Sequence, residues 1–244
     1  MSVYLCHEQP ELVDFEATVV GARPGAVLLS RSALHPGGGG QPADRATITH
    51  AGGTVTVETI EVDKGADGDD AWWHILSDPA AELTGDVAVR IDTDQRANVS
   101  QLHTGSHILN ALVFDRFEGA LVTGAQINTD GTGRMDFDLP GADNAILRSL
   151  GDELNDIIGQ GLEVRTDFVT AEEVAATPGL VRSAAVAPPM SEGGTLRIVE
   201  IVGVDRQACG GTHLSNTGQS RPIRIRKVEN KGRHNRRIRF EFAD

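Results

Sequence analysis

The stretch QRANVSQLHTGSHILNALVFDRF, residues 95–117, is where the pattern of the chain changes. Val99, Leu102, Leu109, Leu112 and Val113 recur there at helical spacing, which predicts a helix over about Gln95–Phe117. Upstream the apolar residues follow a different period. Phe15–Val20, Ala26–Ser30, Thr54–Val62 and Val87–Asp92 are rich in β-branched residues and partly alternate, as strands do. Turn signals separate them at Arg23-Pro24-Gly25, in the run from His35 to Pro42, at Gly52-Gly53 and at Gly65-Ala66-Asp67-Gly68. Short strands with glycine punctuation suit a small barrel or sandwich. Downstream, Ile146, Leu147, Leu150, Leu154, Ile157 and Ile158 form one apolar stripe, predicting a second helix over Asn144–Ile158. Asp143 or Asn144 is its N-cap and Gly159 or Gly161 its stop. Strands are expected at Arg134–Leu139, Leu196–Val202, Ile223–Val228 and Arg237–Phe242, the last with Ile238, Phe240 and Phe242 inward. The fold class is therefore α+β. A small β-barrel-like, glycine-rich domain spans residues 1–95, and a two-layer α+β domain spans 96–244.

The helix carries His103-Thr-Gly-Ser-His107, and two histidines at i and i+4 share one helix face, which suits two bonds to one metal ion. Far downstream, Cys209-Gly-Gly-Thr-His213 brings a thiolate and an imidazole within a short turn that the diglycine allows to bend. Three imidazoles and one thiolate form a borderline-soft donor set that fits zinc best, one ion per chain. The ordinary alternative is a buried cysteine acting as a small hydrophobe and histidines satisfied locally. Neither motif is the paired CxxC of a structural ribbon, and Cys6-His7 is read as incidental.

Composition narrows the function classes. The longest apolar runs fall well short of 18 residues, which excludes a spanning helix, and MSVYLCHEQPELVDFEA has no basic start or apolar segment of the secretory kind. Two cysteines 203 residues apart give no disulfide framework. The expectation is a cytoplasmic globular protein that does not engage membranes. The net charge is −13, and of the 22 basic residues three are lysine, Lys64, Lys227 and Lys231. An acidic, lysine-poor surface points to a salt-adapted source, or more plainly to an arginine-rich genome. Against that background, residues 221–239 carry +8 and the rest of the chain −21. Such a stripe is the footprint of a polyanion partner, or else a set of solvated strand faces.

HTGSHIL at 103–109 with CGGTHL at 209–214 resembles the editing domain shared by alanyl-tRNA and threonyl-tRNA synthetases, and most closely the free-standing AlaX-type alanyl-tRNA editing proteins. The HPGGGGQPAD run at 35–44, Arg134-Met-Asp-Phe-Asp, TGQ at 217–219, Lys231-Gly232 and Arg236-Arg237-Ile238 agree, so the resemblance covers nearly the whole chain. The family often has an aromatic residue where His35 stands.

The resemblance implies a zinc-dependent aminoacyl-tRNA hydrolase that clears serine or glycine from mischarged alanine tRNA in trans. It acts independently of ATP, without an obligate protein partner, and residues 96–244 form the deacylase domain. A pocket built for alanine rejects neither glycine nor an added hydroxyl strongly, so a second hydrolytic site is needed. His103, His107, Cys209 and His213 are then both the metal set and the catalytic set. Either all four bind, closing the site, or His213 is loosely held and one position stays open. A nucleophilic Cys209 with His213 as base is the rival role. Thr104, Ser106, Thr212 and, from the family's arrangement, Gln126 are substrate-selection candidates. The tRNA-binding candidates are Gly38, Gly39, Gln41, Arg221, Arg224, Arg226, Lys231, Arg233, Arg236 and Arg237. The competing readings are a zinc hydrolase of small esters, a zinc-stabilised RNA-binding module without catalysis, and a threonyl-type editing module.

Overall fold

The computed structural model of the chain describes residues 3–64, 70–182 and 194–243; the turn expected at Gly65–Gly68 lies outside them. The chain divides into two compact units, residues 1–38 with 42–97, and residues 39–41 with 98–244. The glycine run is therefore split: Gly39–Gln41 go with the second unit rather than with the β domain to which a boundary at residue 95 assigned them.

In the first unit, β1 (Val3–Tyr4) pairs in parallel with β4 (Arg31–Ser32). The strands β2 (Asp14–Arg23), β3 (Ala26–Leu29), β5 (Ala46–His50), β6 (Gly53–Asp63), β7 (Ala71–Leu76) and β8 (Gly85–Ile91) close a barrel in the order β2-β3-β7-β6-β5-β8. Each pairing round the barrel is antiparallel. In β8, Val87, Val89 and Ile91 point into the barrel and alternate with exposed Asp86, Ala88 and Arg90, the inside–outside pattern of a barrel strand. The barrel settles the choice between barrel and sandwich. Two of its strands escaped the sequence reading. β5 is five residues long, and β7 (AWWHIL) presents its tryptophans half-buried, without a clean alternation.

The helix α1 (Thr93–Arg116) begins in the first unit and continues in the second. The second unit contains β9 (Leu121–Ile127), β10 (Thr132–Asp138), α2 (Asn144–Gly159), β11 (Val164–Thr170), α3 (Ala171–Ala176), β12 (Thr195–Ile201), β13 (Asp205–Ala208), β14 (Ile223–Lys231) and β15 (Asn235–Phe242). A four-stranded antiparallel sheet runs β14-β15-β10-β9, and a three-stranded one β11-β12-β13. Leu102, Leu109 and Val113 of α1, Leu147, Leu150 and Leu154 of α2, and Phe137, Ile238 and Phe240 of the sheet share one core. α2 follows its expected stripe except that Ile146 is exposed; Asp143 caps it by accepting the Ala145 N–H at 2.7 Å.

The helix α1 departs from a one-faced helix. Every residue from Leu102 to Ala111 is buried, including His103, Thr104, Ser106, His107 and Asn110. Polar groups so enclosed must find partners, and those partners assemble the site. Among the described residues no helix is long and apolar enough to cross a membrane.

Candidate metal centre

His103 and His107 stand one turn apart on α1 with ring centroids 5.3 Å apart, and the His213 ring lies 4.3 Å and 4.5 Å from theirs. Cys209 Sγ is 3.6 Å from His103 Nε2 and 3.4 Å from His213 Nε2. The four donor atoms lie within 4.8 Å of one another. Around a tetrahedral zinc, with bonds of about 2.1 Å to nitrogen and about 2.3 Å to sulfur, neighbouring donors sit about 3.6 Å apart. Donor chemistry and spacing thus both fit a zinc ion.

Each ring is held from behind by its Nδ1. His103 Nδ1 is 2.8 Å from Gln41 Oε1, His107 Nδ1 is 3.0 Å from Asp205 Oδ2, and His213 Nδ1 is 3.3 Å from Thr104 Oγ1. With the proton on Nδ1 in each case, as ligation of a metal through Nε2 requires, the Nε2 lone pair of each ring would be left for the ion. The Cys209 loop is built to match. Arg197 donates through Nη1 to the carbonyls of Cys209 and Gly211, both at 2.9 Å, and Thr212 N–H donates to Gln41 Oε1 at 2.9 Å. A Cβ at Gly211 would fall 2.1 Å from His103 Cε1, so the second glycine of the motif is required for the ring to sit there.

Electrostatics favour the ligating state of the thiol. Burial raises the Cys209 pKa, but His103, His213 and His107 outweigh it and hold the thiol well below its ordinary value. Burial and the charges of His103 and His107 push His213 well below the usual imidazole range. Burial opposes the charged form of His107, yet Cys209 and Asp205 bring it up to about 9.

The other residues singled out from the sequence fall into distinct places. Thr104 accepts from Leu214 N–H at 3.1 Å beside the His213 ring, and Thr212 accepts from Gln41 Nε2 and from Ser100 Oγ, so both hydroxyls border the centre. Ser106 is buried and donates to the carbonyl of His103 at 2.7 Å, a bond within its own helix. Gln126 is exposed on the sheet, accepting from Arg134 Nε and donating to Asn128, and it makes no bond to the cluster; its expected place at the pocket is not met. Gln41 is buried behind His103 rather than offered to a polyanion.

Gly38 and Gly39 are exposed with φ of 110° and 62°, and Gly40 could carry no side chain, because its Cβ would lie 2.6 Å from the Ala125 carbonyl oxygen. His35 is buried, and its Nδ1 accepts the Gly37 N–H at 3.1 Å, bracing the glycine turn. Cys6 is buried in the first unit and is not one of the four donors.

The basic stripe lies mostly on one sheet face. Arg224 and Arg226 pair with Glu241, Arg237 grips Asp136 at 2.6 and 2.7 Å, and Arg221 lies 3.7 Å over the Phe242 ring. Bonds from Arg239 and Lys227 draw Glu229 down to about 2. Lys231 and Arg233 are exposed where β14 turns into β15. Arg236 is the exception: it is buried and donates to the carbonyls of Ala142 and Asn235, so its position contradicts a surface role. Sequence reading missed Asp205, Gln207, Ser100 and Arg197. The pair Asp205-x-Gln207, just before Cys209, was the available signal for the first two, since alternate residues of a strand share a face.

Fold and cluster define a class: a barrel-bearing α+β protein with a partly buried centre of three histidines and a cysteine. Residues 196–239 match the family described as Threonyl and Alanyl tRNA synthetase second additional domain. The chain is 35% identical over 227 residues to the alanyl-tRNA editing protein AlaX-M of Saccharolobus solfataricus, covering 93% of each, and 35% identical over 242 residues to that of Methanosarcina mazei, covering 96% of this chain and 93% of the relative. It is also 32% identical to the alanine–tRNA ligase of Korarchaeum cryptofilum over 98% of this chain and 26% of the ligase. The chain belongs to the AlaX-M family of alanyl-tRNA editing proteins.

Proposed function

We propose that this protein is a trans-editing hydrolase that deacylates alanine tRNA mischarged with serine or glycine, with His103, His107, Cys209 and His213 holding one zinc ion per chain. The observation that carries the reading is the convergence of three Nε2 atoms and one Sγ, every ring braced at Nδ1, in a chain whose relatives are named alanyl-tRNA editing proteins. A zinc ion held there supplies Lewis acidity toward the ester carbonyl. The chain's own residues do the rest. Gln41, Asp205 and Thr104 orient the imidazoles, and burial of α1 around the centre limits access of water. Thr104 and Thr212 put two hydroxyls beside the donors, where a seryl hydroxyl finds partners that an alanyl methyl does not. As a ligand, the Cys209 thiolate is engaged and does not serve as nucleophile. Arg221, Arg224, Arg226, Lys231, Arg233 and Arg237 take tRNA phosphates, alongside the exposed Gly38-Gly39 turn.

The test is hydrolysis of seryl-, glycyl- and alanyl-charged alanine tRNA by the purified protein, with and without chelator. Loss of seryl or glycyl ester with alanyl ester spared, abolished by chelation and by a His103→Ala, His107→Ala double variant, is the expected outcome. Four protein donors would leave no open position on a tetrahedral ion, which favours one second reading, a zinc-stabilised RNA-binding module. Tight tRNA binding by the zinc-loaded protein with no turnover would establish that reading instead.

A further inference from the structure

Behind His107 lies a buried charged arrangement centred on Asp205. The Asp205 side chain is fully enclosed. Its Oδ2 sits 3.0 Å from His107 Nδ1 and 2.7 Å from Gln207 Nε2, and Gln207 Oε1 in turn accepts from Asn110 Nδ2 at 3.1 Å. Its Oδ1 lies 3.0 Å from Arg182 Nη1, an ion pair whose N–H direction misses the oxygen, so charge rather than an aligned hydrogen bond joins the two. Arg182 is fixed from its other sides, with its guanidinium 4.2 Å over the Phe114 ring and Nε donating to the Gly179 carbonyl.

An ionised carboxylate can only accept, so His107 must carry its proton on Nδ1 and turn Nε2 toward Cys209. Gln207 Nε2 also lies 3.1 Å from that ring nitrogen, but two donors cannot bond each other, and both N–H groups go to Asp205. The three rings are not held alike: His103 is braced by a neutral amide and His213 by a hydroxyl, while His107 alone has a charged partner. Asp205 and Gln207 share the buried face of β13, and Cys209 follows that strand directly, so one short segment brings both the thiolate and the brace for the imidazole.

We infer that Asp205, with Arg182 as its counter-ion, is the positioning residue of the centre: it sets the tautomer and angle of His107, and metal affinity depends on it although it contacts no metal. This rests on the metal-centre reading above. The test uses the whole zinc-loaded chain with 15N-labelled histidine. In the wild type, His107 shows a slowly exchanging proton on Nδ1 and metal on Nε2. In Asp205→Asn, that proton exchanges faster and zinc affinity, measured by competition with a chromophoric chelator, falls about 10–100-fold. Should Asp205→Asn fail to fold, the Asp205→Asn, Arg182→Gln double variant removes both charges and carries the same comparison. A wild-type His107 protonated on Nε2 overturns the inference on its own. So does a folded variant that binds zinc within twofold of wild type with an unchanged Nδ1 proton. A wild type that binds no zinc sinks the metal-centre reading itself, a distinct result.

Discussion

Gly211 and Gln41 show how single residues set this centre. Gly211 has no room for a methyl group, with His103 Cε1 at 2.1 Å and Gln41 Oε1 at 2.7 Å from where its Cβ would be. Gly211→Ala must therefore displace a metal-facing ring, and zinc affinity is expected to fall at least about tenfold, as it does when the groups that orient a ligand are disturbed. Chelator competition checks this, and unchanged affinity would show that the ring moves freely. Gln41 holds His103, Thr212 N–H and Thr212 Oγ1 together. From the sequence it belonged to a glycine-rich loop facing nucleic acid, because nothing in residues 35–44 reveals that a side chain 62 positions from His103 turns inward. Long-range pairing of this kind is invisible to any local pattern.

Two elements carry predictions of their own. The β7 strand buries His74 inside the barrel, where Ser32 Oγ lies 2.9 Å from Nε2, and burial lowers its pKa from 6.5 to about 4. Because the folded value lies below the unfolded one, the unfolded chain takes up a proton that the barrel refuses. Stability present above pH 6.5 is lost as pH falls toward 4, by about 3 kcal/mol in all. A His74→Gln variant should flatten that part of the pH–stability curve in chemical denaturation, and an unaltered curve would assign the acid sensitivity elsewhere. At the start of α2, Asp143→Ala removes the cap on Ala145 N–H and should lower stability by about 1 kcal/mol, measured by the same denaturation. The elements legible from the sequence were those with a sustained period, α2 and β15 above all. Those missed were short or lay at a sheet edge, such as β11, whose four central residues are exposed and leave no alternation to read.

At the scale of the molecule, a −13 chain bears a basic sheet face on which glutamates and Asp136 already occupy several arginines. If tRNA phosphates are taken there, affinity falls as salt rises. Replacing Arg221, Arg224 and Arg233 with glutamine should then reduce the slope of log K against log salt by about one for each arginine–phosphate pair abolished. Binding isotherms over a salt series measure this; an unchanged slope would move the tRNA to another surface.

Periodicity was enough to place the change from β barrel to α+β near residue 95, and the spacings HxxxH and CxxxH were enough to name four candidate metal donors, because both are local properties of a helix face and a tight turn. The orientation of those donors was decided by tertiary structure alone. Gln41, Asp205 and Thr104 reach their rings from 62, 98 and 109 positions away in the chain, and only packing around a wholly buried stretch of α1 brings them within hydrogen-bonding distance.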